Sequence, residues 1–273
     1  MFKTMDNSIL RKFCFWAALF LIAFAGQASA RPLEVVVTTS MIESAVRDAC
    51  GDDTELTIKR LIPPGNCPGH FDLKPRMLET VKAADFFIYH DFQRGIEAKV
   101  KAVDPDAEML VVGVDGSYLV PSNYRKLVRS IKESLKPETA GKRLENAEES
   151  HGDVADLEDK WKDAAKEHGW VGAPVLAAAM QADFCRWLGF DVVGIVPRSD
   201  SSSPRMISKL LNTRAAMVID NRQTGGSAAR MLGRRLKIPV ATLSNFPESK
   251  GPGAYGKLAD KNLGILEKAW QKR

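Results

Sequence analysis

The stretch APVLAAAMQADFCRWLGFDVVGIV, residues 173–196, decides the fold class of this 273-residue chain. It opens with an apolar segment, Pro174 to Ala178, and closes with a β-branched one, Asp191 to Val196. A segment compatible with a helix lies between them and reaches Leu188. Two strands separated by a helix pair in parallel, because the helix carries the chain back across the sheet. The stretch therefore predicts a strand–helix–strand unit of an α/β fold.

The same alternation extends from this unit in both directions along the chain. Downstream, the pattern predicts a helix after Pro204, a strand over 215–220, a helix over 226–236, a strand over 238–243 and a final helix over 255–270. Upstream, it predicts strands over 33–39, 56–62, 85–89 and 109–114, with helices over 41–50, over 75–83 and from Gly95. The sequence thus predicts an α/β protein of two lobes, each with a mainly parallel sheet flanked by helices.

One long backbone helix is predicted to join the two lobes, over residues 137–168. Apolar residues recur there every three or four positions and charged residues occupy the remainder, a pattern that runs through Val154, Leu157, Trp161 and Ala164. Gly152 is a weak point at which such a helix can kink. The lobes are then predicted over residues 31–136 and 169–273.

The first thirty residues have the pattern of a secretory signal peptide. Three basic residues precede an apolar run of 13 residues, Phe13 to Ala25, and Ala28-Ser29-Ala30 supplies the small residues of a cleavage site. We expect cleavage after Ala30 and a periplasmic protein. The formal net charge of the whole sequence is only +5, and three Lys or Arg and one Asp belong to this segment. Such a small charge gives no indication of a nucleic-acid partner.

Three cysteines remain after such a cleavage, so at most one internal disulfide can form. Cys50 and Cys67 could close a short loop as a structural disulfide in an oxidising compartment. Cys185 would then remain a buried, inert thiol.

Several local stretches carry a family resemblance. They include Pro63-Pro64-Gly65, Cys67-Pro-Gly-His-Phe-Asp72, Ala83-Ala-Asp-Phe-Phe-Ile-Tyr89, Leu119-Val-Pro-Ser-Asn123, Trp187-Leu-Gly-Phe-Asp-Val-Val193 and Ala216-Met-Val-Ile-Asp220. In this order the chain resembles the zinc and manganese group of metal-binding solute-binding proteins of ABC importers. The resemblance implies two α/β lobes on one long helix. It also implies capture of a transition metal ion, zinc foremost, or of a small metal chelate between the lobes, and delivery to an inner-membrane ABC permease with its ATPase.

The metal ligands are where the sequence departs from that family. The resemblance places a first ligand at His70, after a one-residue shift caused by Gly69. It places the second histidine near Gly116 and the third near Ala178, and neither position holds a histidine. The acidic ligand would fall near Ser244 or Asn245. The family's usual zinc site therefore does not transfer.

The candidate ligands must then be chosen by their own chemistry. Cys67 and His70 lie three positions apart on a Pro/Gly turn and offer a sulfur and a nitrogen donor, which suit zinc or copper(I) better than manganese. The alternative is that Cys67 is in the disulfide with Cys50 and that His70 only caps the turn. These two roles of Cys67 exclude each other.

Two further candidate ligands follow strands, at the sheet edge where ligands of α/β proteins bind. His90 follows the predicted strand 85–89, and Asp220 ends the strand 215–220. A turn residue and a helix cap are their respective structural alternatives. Met180 could serve a soft metal, although core filling is the commoner use of Met. Arg198, together with Ser201, Ser202 and Ser203, could bind an anion, although a solvated loop is the simpler interpretation.

None of the catalytic motifs that we considered occurs in the sequence, which contains no Gly-x-Ser-x-Gly elbow and no His-Glu-x-x-His helix. We therefore expect a binding protein and not an enzyme. The main alternative to metal import is a divergent relative that binds no metal and serves as an envelope adaptor or binds a different small ligand. A thiol-dependent redox protein or metallochaperone that uses Cys67 and Cys185 is a third hypothesis.

Overall fold

A computed structural model describes residues 32–51, 56–93, 95–135, 149–198, 201 and 203–273. The predicted signal peptide, residues 1–30, and the first part of the predicted linking helix, residues 137–148, lie outside these ranges. The described chain contains two four-stranded sheets in which every pairing is parallel. This confirms the predicted fold class.

The first sheet comes from the first half of the chain. Its strands are β1 (Leu33–Val37), β2 (Leu56–Arg60), β3 (Phe86–His90) and β4 (Met109–Val112), in the order β2-β1-β3-β4. The helices of this half are α1 (Ser40–Cys50), α2 (Pro75–Lys82), α3 (Ile96–Lys101) and α4 (Pro121–Leu135). Parallel register pairs Val35 with Phe86 and Phe87 with Met109.

The second sheet repeats this arrangement. Its strands are β5 (Pro174–Ala178), β6 (Asp191–Val196), β7 (Met217–Asn221) and β8 (Val240–Leu243), in the order β6-β5-β7-β8. Helix α5 (Glu149–Glu167) precedes the sheet, and α6 (Ala179–Leu188), α7 (Pro204–Leu211), α8 (Ser227–Leu236) and α9 (Ala254–Trp270) alternate with or follow its strands. The strand–helix–strand unit predicted from residues 173–196 is β5-α6-β6.

The predicted elements agree with the structure except at their ends. The first strand was expected to reach Thr39 but ends at Val37. The reason is that Thr39 caps α1, since its Oγ1 accepts a hydrogen bond from the Ile42 N–H at 3.3 Å. Local capping thus competes with strand continuation at this point.

Both faces of each sheet are covered, as is usual for parallel sheets. One continuous core cluster includes the facing sides of both sheets, through residues such as Val35, Ile88, Val175 and Ile219. Two smaller clusters cover the opposite faces, one around Phe87 under α2 and α3 and the other around Val218 under α7 and α8. The shared central cluster joins the two halves into one packed unit.

Helix α5 is the described part of the predicted linking helix and continues through Gly152 without a break. The predicted apolar stripe is buried, at Val154, Leu157, Trp161 and Ala164. The Trp161 ring meets Phe184 of α6 edge-on, with ring centroids 5.0 Å apart. The stripe therefore packs this helix against the second half of the chain.

A buried polar cluster joins the start of α9 to the first half of the chain. The Asp48 carboxylate on α1 accepts hydrogen bonds from the Tyr124 hydroxyl at 2.6 Å and from the Gly253 N–H at 3.0 Å. The rings of Tyr124 and Tyr255 stack with centroids 3.7 Å apart, and the Tyr255 hydroxyl donates to the Leu119 carbonyl at 2.8 Å. Burial and the neighbouring Asp48 raise the pKa of Tyr124 well above 10. We call this set the seam cluster.

Among the described residues, none of the helices combines the length and the hydrophobicity that a bilayer crossing requires.

The seam cluster predicts that removal of its acceptor, the Asp48 carboxylate, strongly lowers the free energy of unfolding. In Asp48→Ala, the Tyr124 hydroxyl and the Gly253 N–H lose the same buried acceptor, and we expect a loss of about 3 kcal/mol in the free energy of unfolding. Urea unfolding followed by circular dichroism measures it. Asp159→Ala, an exposed aspartate on α5, is the matched control with an expected change of less than about 0.5 kcal/mol. Equal losses in the two variants would contradict the assigned role of the seam cluster.

Candidate functional site

A cavity of about 350 Å³ lies between the two halves, where the carboxyl ends of both sheets meet. Residues that end β5, β6 and β7 line one side, and the loop after β2 and the residue Phe92 after β3 line the other. This is the location at which open α/β sheets bind their ligands. We call it the cleft cavity.

The walls of the cleft cavity are largely apolar. The apolar lining residues include Pro68, Phe92, Ala179, Met180, Val196 and Phe246. Phe92 is 37% exposed and Met180 is 51% exposed, unusually high fractions for large apolar side chains. The expectation that Met180 fills the core is therefore wrong, because its side chain lies at the cavity.

Cys67 lines the cleft cavity as a free thiol. The structure does not contain the Cys50–Cys67 disulfide that was one of the two alternatives for Cys67. Cys50 is buried in the central core at the end of α1, while Cys67 lies on the loop after β2. The Nη1 group of Arg198 approaches the Cys67 Sγ at 3.5 Å. Arg198 is half-buried and lines the same cavity.

His70 closes a short 3₁₀ turn, Pro68–His70, that begins directly after Cys67. Pro68 fits the first position of this turn because its missing N–H would have no partner there. The side chain of His70 lies outside the described part of the structure. The role of His70 as a ligand or a cap therefore stays a prediction.

His90 ends β3 and is fully buried beneath the cleft. Its Nε2 lies 2.8 Å from the Thr39 Oγ1 and its Nδ1 lies 3.0 Å from the Tyr118 hydroxyl, so both ring nitrogens are engaged. The ring stacks on Phe92 with centroids 4.7 Å apart. Burial lowers the pKa of His90 to about 3, which keeps the imidazole neutral at physiological pH.

Asp220 does not line the cleft cavity, because side chains alternate along β7. Its side chain is on the face of Val218, which packs under α8, whereas Asn221 is on the cavity side. Burial raises the pKa of Asp220, opposed by the Asn221 N–H, by the charge of Arg230 and by a hydrogen bond from Thr242. The strand end therefore presents an amide to the cavity and turns the carboxylate away.

Of the three predicted ligands whose side chains the structure describes, Cys67, His90 and Asp220, only Cys67 lines the cleft cavity. Among the described residues, no group of three or more His, Cys, Asp or Glu is arranged to hold a metal ion. A smaller cavity of about 150 Å³ adjoins the first and contains Gly116, where the resemblance placed a histidine. Gly116 has a φ of 89°, a left-handed conformation that a histidine would adopt only with strain. Asp91 and Asp183 line this smaller cavity, and Asp183 pairs with Arg186 at 2.9 Å.

A network of buried amides forms the floor of the site on the second sheet. The Asn245 Oδ1 accepts a hydrogen bond from Gln181 at 2.6 Å, and its backbone N–H donates to the Gln223 Oε1 at 3.3 Å. The Gln223 Nε2 donates to the Ser244 Oγ at 3.1 Å and, across the cleft, to the Pro64 carbonyl at 2.9 Å. Gln223 thus bridges the two halves at the cavity.

The reasoning from sequence missed Phe92, Phe246, Asn221 and Gln223 as lining residues. Asn221 and Gln223 follow the predicted strand 215–220, and that position was a usable signal. Phe92 and Phe246 gave no such signal, since an aromatic residue after a strand is usually part of the core.

The buried neutral state of His90 predicts an acid-dependent loss of stability. Its pKa is about 3 in the folded protein, against the ordinary value of 6.5 that it has in an unfolded chain, so the unfolded state binds the proton more tightly. The contribution of neutral His90 to the free energy of unfolding is fully present above pH 6.5. It falls by about 2 kcal/mol between pH 7 and pH 5. In the His90→Gln variant, we expect the change in the free energy of unfolding between pH 7 and pH 5 to be smaller by this amount than in the unchanged protein. Urea unfolding at both pH values measures it. An unchanged pH dependence would contradict the assignment.

Comparisons with known proteins address the identity of the fold. A solved structure named as ZnuA superposes with a TM-score of 0.72 at 14% sequence identity, over 86% of this chain and 98% of that chain. FpvC from Pseudomonas aeruginosa, a solute-binding protein in complex with Mn²⁺, gives a TM-score of 0.68 at 16% identity, over 89% of this chain and 99% of that chain. The laminin binding protein Lmb of Streptococcus agalactiae is described as an adhesin with metal-transporting activity. It gives a TM-score of 0.69 at 16% identity, over 87% of this chain and 99% of that chain. These likenesses show the fold.

No curated protein matches the chain by sequence. A family model does match it, over residues 35–269, and this range extends from β1 to the penultimate residue of α9. The model describes the zinc-uptake complex component A, a periplasmic protein. This chain belongs to the family of the periplasmic zinc-uptake complex component A.

Proposed function

We propose that the protein is the periplasmic substrate-binding component of a zinc-type ABC importer. It is exported with a signal peptide that is cleaved after Ala30, captures a transition metal ion or a metal chelate in the cleft cavity, and delivers it to an inner-membrane permease and its ATPase. It binds and releases its cargo and catalyses no reaction. The observation that carries the proposal is the coincidence of the family match over residues 35–269 with a cavity at the carboxyl ends of both sheets.

The fold favours small movements when cargo binds. The seam cluster and the central core join the two halves, and Arg125 on α4 pairs with Glu158 on α5 at 3.5 Å. A wide hinge opening would break these contacts. The contacts of Gln223 with Pro64 and of Arg198 with Cys67 already connect the cleft walls. We propose that capture and release occur through movement of the loop over 63–70, with the two sheets nearly fixed.

Our candidates for contact with a metal are on this loop. We propose Cys67 and His70 as its ligands from the first half, with zinc as the metal, since a thiolate and an imidazole are preferred zinc ligands. His90 would have to exchange its hydrogen bond with Thr39 or Tyr118 for a metal bond. Asp220 would have to turn from the α8 side toward the cleft, so both are weaker candidates than the loop.

The import role predicts that filling the cleft cavity stops transport. Ala179 lines the cavity and is exposed, so Ala179→Trp adds a large ring there without disturbing the core. We expect uptake of radioactive zinc to fall at least tenfold in cells whose other zinc importers are deleted. Ala98→Trp, at an exposed position on α3, should leave uptake unchanged. Uptake that does not depend on the gene at all would refute the importer role.

The ligand assignment predicts a metal content that depends on the loop. Protein purified without chelator should contain about one equivalent of zinc by elemental analysis, and Cys67→Ser or His70→Gln should lose most of it. His168→Gln is the matched control, because His168 lies near the start of the second half and pairs with Glu267 at 3.5 Å. Equal metal content in all four proteins would contradict the role of the loop.

A further inference from the structure

The loop over 63–70 contains three prolines, which limit how its backbone can be held. Pro63, Pro64 and Pro68 lack an N–H, so the carbonyl is the only backbone hydrogen-bonding group that each of them offers. The tip of the loop between them, at Gly65 and Asn66, is exposed to solvent. A side-chain donor from another element can therefore fix the loop by binding one of these carbonyls.

A buried glutamine of the first half supplies one such donor. The Gln93 Nε2 donates to the Pro68 carbonyl at 3.5 Å. Its Oε1 accepts hydrogen bonds from the Thr38 hydroxyl at 2.6 Å and from the His90 N–H at 3.0 Å. Thr38 follows β1 and His90 ends β3, so Gln93 attaches the loop to the sheet of its own half.

A buried glutamine of the second half supplies the other donor. The Gln223 Nε2 donates to the Pro64 carbonyl at 2.9 Å and to the Ser244 Oγ at 3.1 Å, and these two contacts use both of its hydrogens. Its Oε1 accepts from the Asn245 N–H at 3.3 Å. Gln223 is only 8% exposed, so water does not readily replace a lost partner. The bond to Pro64 is the one that reaches the loop.

The same glutamine also fixes the floor of the cleft cavity. The Ser244 Oγ donates to the Phe246 carbonyl at 3.0 Å and accepts from the Phe246 N–H at 3.3 Å, so residues 244–246 form a tight turn. Asn245 and Phe246 of this turn line the cleft cavity. A displacement of the turn therefore moves the acceptor and the donor that orient the Gln223 amide.

We propose that Gln223 is a positioning residue that couples the floor of the cleft cavity to the loop over 63–70. It holds the loop against the cavity through Pro64, and Gln93 anchors the other end of the loop. Cargo that contacts Asn245 or Phe246 acts on the loop through the Gln223 amide. The inference rests on the proposed function and assigns the control of cargo exchange to one side chain.

Alkylation of Cys67 measures the opening of the loop without any cargo. Cys67 is a free thiol on this loop, whereas Cys50 and Cys185 are 7% and 0% exposed. Gln223→Met keeps the length of the side chain and removes its donor. In the metal-free mature protein, we expect iodoacetamide to alkylate Cys67 about fivefold faster in this variant, as the loss of one neutral hydrogen bond predicts. Gln271→Met, at an exposed position after α9, should leave the rate unchanged.

Peptide mass spectrometry identifies which cysteine reacts. An unchanged alkylation rate of Cys67 in Gln223→Met would overturn the inference. Equal acceleration at all three cysteines would overturn it too, because general unfolding would then explain the result. Hydrogen–deuterium exchange of the peptide over 61–73 measures the same opening independently of the thiol, and faster exchange is expected in this variant.

A second substitution tests the coupling from the floor side. The Ser244 side chain binds Gln223 and Phe246, and we expect Ser244→Ala to accelerate alkylation of Cys67 as well. The double variant Gln223→Met/Ser244→Ala should react no faster than Gln223→Met alone, because both changes act through one amide. Multiplied effects in the double variant would contradict the coupling. Ser244→Ala also tests the proposal if Gln223→Met does not fold.

Cargo exchange is measured separately, as the release of zinc from the zinc-loaded protein to a chelating dye. We expect release to be about fivefold faster in Gln223→Met and unchanged in Gln271→Met. Equal release rates together with faster alkylation of Cys67 would overturn the control of exchange by Gln223. A protein that binds and imports no zinc would refute the proposed function, while alkylation of the metal-free protein would still decide whether Gln223 couples the floor to the loop.

Discussion

The buried carboxylate of Asp48 is the constraint on which the arrangement of the two halves depends. It accepts hydrogen bonds from Tyr124 on α4 and from the N–H of Gly253 just before α9, so one side chain fixes two elements that are far apart in sequence. The body of α9 packs on the second sheet, where Asn262 exchanges hydrogen bonds with the backbone of Ser244. The cleft cavity lies between sheets that are held at a fixed distance by these contacts.

The contacts that hold the two sheets also determine which residues face the cleft cavity. The described walls of the cleft cavity present aromatic carbons, amides and one guanidinium. The family resemblance placed metal ligands at four positions, of which the first holds His70 and the others hold Gly116, Ala178 and Ser244 or Asn245. Gly116 also has a left-handed backbone conformation that favours glycine. The chain therefore shares the architecture of the family, while three of the four positions expected to hold its ligands carry other residue types.

The fold was predictable because its signals are local. Apolar segments such as Val175 to Ala178, the caps and the periodic stripe through Trp161 each report on neighbouring residues, and these determined the strands, the helices and the parallel pairing. The site was predictable only in outline. Cys67 was correctly placed at the cleft, but the partner of Cys67 is Arg198, 131 positions away, and not Cys50. No local pattern could indicate that pairing, because it depends on how the two halves pack.

Asp220 and Asn221 show which features the sequence determined and which the tertiary structure decided. The sequence by itself determined that a strand ends there, that the fold is α/β with two lobes, and that the family's histidines are missing. Only the tertiary structure decided that Asn221 and not Asp220 is at the cavity, and that both nitrogens of His90 are engaged by Thr39 and Tyr118. The physical reason is that hydrophobic periodicity encodes the local conformation of the backbone. Packing of the sheets decides which face of each strand end is turned toward the cleft. That packing joins residues far apart in sequence, and no short segment specifies it.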